Sequence, residues 1–150
     1  SEARRIVYRS SRRTGGTMTR VILHEDCGNS PKNLLLQQMP IAMTAADGQF
    51  ISDCTAQNLV WNQVGGSLVK GQAQVMERLQ RALQDDRVLE LTIDHVVNHG
   101  KAGAVDGTAK TDGGRVLAYC NVYEFDSAKG AKISVVTSYV IELPDNALSS

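Results

Sequence analysis

From residue 88 onward the chain alternates apolar and polar residues between short breaks, and this pattern commits it to a sheet of adjacent strands. Residues 88–98 put Leu89, Leu91, Ile93, His95 and Val97 on one face, with Glu90, Thr92, Asp94 and Asn98 mostly opposite. Turn signals at His99-Gly100, Asp112-Gly113-Gly114 and Ala128-Lys129-Gly130 mark off further strands at 102–111, 115–126 and 131–143. Connections this short cannot hold a parallel crossover, so these neighbours must run antiparallel.

The first half reads differently. Ser30 can cap exposed N–H groups and Pro31 suits a first helical turn, so a helix starts there. It continues through Leu34, Leu35, Gln38, Met39 and Ala42, with Pro40 expected to kink it. Asp47-Gly48 breaks the chain before a short helix from Gln49 to about Cys54. A strand over 58–64 ends at Gly65-Gly66. A second long helix follows Gly71, its stripe formed by Val75, Met76, Leu79, Ala82 and Leu83. The order is helix, helix, strand, helix, then four strands. A bent, mixed or antiparallel sheet wrapped around three helices satisfies it, which is an α+β architecture.

Charge divides the chain unevenly. Residues 1–20 hold six arginines against Glu2, and the remainder carries the compensating excess of acid. Such an arm reads as a solvated basic extension, with 21–150 as the folded domain. Tyr8 stands nearly alone among these arginines, so no stacking platform for nucleic acid is expected. No apolar run approaches the length needed to cross a bilayer, so no membrane partner is expected either. Cys27, Cys54 and Cys120 are odd in number, widely spaced and without a zinc-ligand pattern. No metal is expected, and the thiols read as reduced in a cytoplasmic location.

Ala45-Ala46-Asp47 at the end of the first helix, Val60-Trp61-Asn62-Gln63-Val64-Gly65 on the first strand and a helix opening at Gly71 together carry a resemblance. Over roughly 24–143 the chain resembles the ketosteroid-isomerase-like superfamily, also called nuclear transport factor 2-like, which includes the SnoaL-like polyketide cyclases. The stretches 24–31 and 137–140 are similar to a bacterial branch of it. The resemblance implies a cone-shaped α+β barrel with one deep cavity between sheet and helices. It also implies a small-molecule ligand, a homodimer and no organic cofactor.

Matching that superfamily's isomerase residue by residue puts Asn62 at its catalytic base position and Met39 at its tyrosine position. Asn121 falls at its neutral-acid position. An amide cannot take a proton from carbon, and a thioether cannot donate, so two of three roles stand vacant. The strand register places Tyr119, Asn121 and Tyr123 on one face toward the cavity, with Asp106 and Thr108 from the preceding strand and Ser138 from the last. Asp106 reads either as an exposed residue beside Gly107 or as the one carboxylate among apolar walls, suited to acid/base work. His95 reads either as a core histidine or as a base oriented by Asp106. Trp61 is expected to pack on the face opposite Asn62. The two tyrosines either hydrogen-bond a carbonyl or line the core.

Three functions follow. The first is a cofactor-independent isomerase, cyclase, dehydratase or hydrolase acting on a small apolar cyclic or polyketide-like compound. In it Asp106 and His95 are catalytic, while Asn62, Asn121, Tyr119, Tyr123, Ser138 and Met39 contact ligand. The second is a non-catalytic binding protein, and the third a protein-interaction domain using the outer sheet face.

Overall fold

A computed structural model describes residues 4–10, 18–24, 30–127 and 132–144. Three helices, α1 (Pro31–Ala45), α2 (Gly48–Cys54) and α3 (Gln72–Asp85), lie against one mixed sheet. Its strands are β1 (Arg4–Ser10), β2 (Met18–His24), β3 (Thr55–Gln63), β4 (Leu68–Lys70), β5 (Val88–His99), β6 (Ala102–Thr111), β7 (Val116–Phe125) and β8 (Ile133–Glu142). Their spatial order is β1-β2-β5-β6-β7-β8-β3-β4. The run β5 to β8 is antiparallel throughout, whereas β2 joins β5 and β3 joins β8 in parallel. The result is the expected α+β cone, open rather than closed.

Local chemistry sets the helix ends. Ser30 Oγ accepts from the Asn33 N–H at 3.1 Å, and Asp47 accepts from the Phe50 N–H at 3.2 Å. Ala46 closes α1 in the left-handed region at φ 48°. The helix continues through Pro40, which is buried. Leu36, Met39, Ile41 and Ala42 of α1, Ile51 of α2 and Val75 and Leu79 of α3 are buried against Leu59, Leu91, Ile93, Val105, Tyr123, Phe125 and Val136 of the sheet.

The structure adds three strands to those expected. Part of the arginine-rich segment forms β1, paired antiparallel with β2, and β2 extends the sheet beside β5. Arg12 and Arg13 lie outside the described residues, as does the turn expected at 128–130. The third addition, β4, is a short edge strand on β3.

Strand β5 breaks its own alternation twice. Opposite β6, Val88 pairs with Thr111 and Glu90 with Lys110, so Leu89 is an extra residue; Ile93 pairs with Gly107 and His95 with Asp106, so Asp94 is another. Each bulge moves every later side chain to the other face. Leu91 and Ile93 are buried, but Leu89, His95 and Val97 are exposed and Val96 takes the inward place. The expectation that all five odd-numbered residues share one face therefore fails at both ends.

Gly107 makes the second bulge sterically possible. A Cβ there would stand 2.7 Å from the Thr92 carbonyl carbon, closer than real Cβ atoms come. The Tyr119 hydroxyl reaches across the same bare glycine and donates to the Thr92 carbonyl at 2.9 Å. Glycine thus gives way both to the bulged backbone and to the phenol that satisfies it.

Candidate functional site

Between the sheet and the α1 and α3 helices lies a cavity of about 610 Å³, within the range usual for small-molecule sites. Its walls are largely apolar: Pro40 and Met43 from α1, Leu79 and Leu83 from α3, and Val88, Leu91, Leu117 and Val140 from the sheet.

One polar row crosses this apolar surface. Trp61 of β3 donates its indole N–H to Ser138 Oγ of β8 at 2.9 Å. Ser138 donates to Asn121 Oδ1 of β7 at 2.7 Å, and Asn121 Nδ2 donates to the Tyr123 hydroxyl at 3.2 Å. All four residues are buried. An indole can only donate, so it fixes Ser138 as acceptor there and leaves the serine proton for the amide oxygen. Burial pushes the Tyr123 phenol well above its usual range, despite the amide hydrogen bond that opposes the shift, so the row carries no charge at ordinary pH.

Charge collects instead where the helix α3–β5 corner meets the β6–β7 turn. Asp86 accepts from the Gly113 N–H at 2.8 Å and stands 3.7 Å from Arg115, whose Nε donates to Glu142 at 3.0 Å. The Thr111 hydroxyl and the Gly113 N–H, with Arg115 beside them, hold the Asp86 carboxyl below its ordinary range. Asp86, Thr111 and Arg115 all line the cavity. A carboxylate so held is a poor proton acceptor, because each donor favours its charged form.

The sequence-derived candidates separate into three groups. Tyr119, Asn121 and Ser138 line the cavity, with Tyr123 buried behind Asn121. Met39 is core, buried in the helix–sheet packing rather than lining the cavity. Asn62 alternates away from buried Trp61 and does not reach the cavity, the reverse of the expected arrangement. The signal was present in the strand itself: Leu59 and Trp61 are its apolar row, and a strand buries that row.

Asp106 and His95 do come together, at 2.8 Å from Nδ1 to Oδ1, but on the sheet face turned from the helices. Their side chains are 43% and 74% exposed, so neither stands among the apolar walls. Strand β6 buries Gly103, Val105, Gly107, Ala109 and Thr111, which leaves Asp106 and Thr108 on the other side. Its inward row is small because helix α1 presses on it; a Cβ at Gly103 would overlap the Leu36 side chain. The residues that sequence reasoning missed are Trp61, Asp86 and Arg115. The last two are joined by a turn that only the folded chain brings to α3.

Among the described residues no three His, Cys, Asp or Glu side chains converge as metal ligands. Also among them, no helix is long and apolar enough to cross a membrane.

Comparison with known proteins gives one family and a set of structures. The family described as a SnoaL-like domain matches residues 36–135. An NTF2-like protein of unknown function from Cytophaga hutchinsonii superposes with a TM-score of 0.55 at 22% identity, covering 72% of this chain and 97% of that one. A protein of Shewanella denitrificans described as a SnoaL-like polyketide cyclase gives 0.62 at 17% identity, covering 75% and 92%. An LEH-like epoxide hydrolase of M. tuberculosis gives 0.56 at 19% identity, covering 71% and 82%. At these identities the likeness concerns the fold. No curated protein matches the chain.

Proposed function

The chain belongs to the SnoaL-like domain family, and on that premise we propose that its cavity binds a small, largely apolar molecule through an uncharged hydrogen-bond acceptor such as a carbonyl or ether oxygen. The observation that carries this reading is the row Trp61–Ser138–Asn121–Tyr123, four buried, uncharged polar side chains, the first three of which line a largely apolar cavity. Asn121 gives one amide hydrogen to Tyr123, and its other is the donor offered to ligand. A neutral donor suits a neutral acceptor; a carboxylate ligand would lose its hydration at this row, and the cation that lines the cavity, Arg115, is already paired with Asp86 and Glu142.

The same row can polarise a carbonyl but cannot remove a proton. Acid/base catalysis of the kind performed by isomerases, cyclases, dehydratases or hydrolases needs a group that accepts one. Of the two carboxylates lining the cavity, the half-buried Asp86 is held ionised by its donors and Asp85 is exposed at the end of α3. Binding without turnover is therefore the function the geometry supports best.

Trp61 is the sole tryptophan of the chain, so its fluorescence reports on the cavity directly. Titration with a panel of cyclic ketones, lactones and aromatic ethers should give saturable changes for some members. Asn121→Leu should weaken those by roughly tenfold, the worth of one hydrogen bond whose loss strands a buried acceptor. A flat response across the panel overturns the reading. Product formation that Asn121→Leu abolishes would replace it with an enzymatic one.

The outer sheet face supports a second role, self-association or protein interaction, because Val97, Tyr139 and Ile141 are all exposed there. Sedimentation velocity on the parent chain and on Ile141→Asp tests it.

A further inference from the structure

A second groove, of about 310 Å³, runs between β4 and α3 on the far side of the sheet from β1. Nothing in the cavity chemistry accounts for it. We propose that it takes an extended acidic segment of a partner protein, which adds to the sheet as a strand beside β4.

The backbone supplies the first argument. Gln63 N–H donates to the Ser67 carbonyl at 2.9 Å and Gly71 N–H donates to the Leu59 carbonyl at 2.7 Å, while Val69 faces Trp61 in the register between them. In an antiparallel pair, alternate residues aim both backbone groups at the partner. Ser67, Val69 and Gly71 thus point theirs to β3. Leu68 and Lys70 point their N–H and C=O groups to the other side, where β4 is the last strand among the described residues. This is the hydrogen-bonding pattern that an added strand completes.

Charge supplies the second. The groove is lined by Lys70, Arg78 and Arg81 against a single carboxylate, Glu77. Arg78 is held across the groove by its hydrogen bond to Ser67 Oγ at 2.9 Å, so its guanidinium stays beside the open edge. Arg81 shares Glu77 at 2.7 Å on the exposed helix face. A strand pairing with β4 would turn every second side chain toward α3, where acidic groups would meet these cations. Short edge strands carrying lysine also discourage pairing between sheets. That role needs no cations on a neighbouring helix, and here two arginines of α3 line the same groove.

The test uses the whole chain and a fluorescent peptide alternating threonine and glutamate. Saturable binding is expected, weakened roughly tenfold by Arg78→Glu, as the loss of one charge-assisted hydrogen bond implies. Leu68→Pro removes only an outward N–H and should weaken binding similarly without lowering the melting temperature. Hydrogen exchange should show the Leu68 and Lys70 amides protected when peptide is bound. The proposal is overturned if the peptide does not bind, or if Leu68→Pro binds it as well as the parent. It is equally overturned if the same peptide interrupted by prolines binds equally, which would make the groove a mere anion patch. Cavity ligands, read through Trp61, should be indifferent to both substitutions.

Discussion

Gly107 passes beneath the carbonyl of Thr92 so closely that no side chain fits between them, and the Tyr119 hydroxyl fills the hydrogen bond that this approach leaves open. Three strands meet at this point. It is where β5 gains its second extra residue, Asp94, and where its inner and outer faces are reassigned from His95 onward.

Gly107→Ala should therefore destabilise the fold by about 3 kcal/mol, the upper end for overpacking a site that cannot relax. The new methyl would meet backbone rather than a mobile side-chain tip. Urea denaturation measures the loss. A variant within experimental error of the parent would show that the bulge can shift without cost.

Ser138→Ala should cost about 1–3 kcal/mol, because it strands both the Trp61 indole N–H and the Asn121 carbonyl oxygen in a buried setting. The loss should appear in thermal unfolding together with a changed Trp61 emission maximum. An unchanged spectrum would mean that the indole was not held by this hydroxyl.

The Asp86 carboxyl links the α3–β5 corner to the β6–β7 turn, and its pKa is lowered on folding, chiefly by the Thr111 hydroxyl and the Gly113 N–H. A group depressed in the folded state contributes stability in full above its unfolded pKa and loses it as pH falls through the folded one. Stability should thus decline as pH drops below the ordinary carboxyl value of 3.8. Asp86→Asn should flatten that part of the profile, and denaturation midpoints across the acid range decide the matter. A parallel decline in both proteins would assign the acid sensitivity elsewhere.

Asp106→Asn should change stability by less than about 1 kcal/mol, since the His95–Asp106 pair lies on an exposed face and is screened by solvent. Ligand response at Trp61 should be unaltered. The same substitution should quicken alkylation of Cys120, which lies opposite Asp106 across the β6–β7 ladder. Partial burial pushes this thiol up and the Asp106 charge adds to the rise. A loss of ligand response on changing Asp106 would return the pair to the functional site.

The sequence by itself determined much of this architecture. Ser30-Pro31 and the stripe from Val75 to Leu83 placed α1 and α3, and glycine turns delimited the strands of the second half, because caps, periodicity and turn preferences act within a few residues. The inward direction of Tyr119, Asn121 and Ser138 was likewise legible, since β7 and β8 keep their alternation over those residues. Tertiary structure decided the rest. A single extra residue at Asp94 turned His95 outward, and nothing in the local pattern announces it, because a bulge is a relation between two strands. Asp106 faces outward because helix α1 needs the small side of β6, and Asp86 meets Arg115 because a turn closes beside a helix end. Such contacts join residues far apart in the chain, and only the assembled sheet sets their distances.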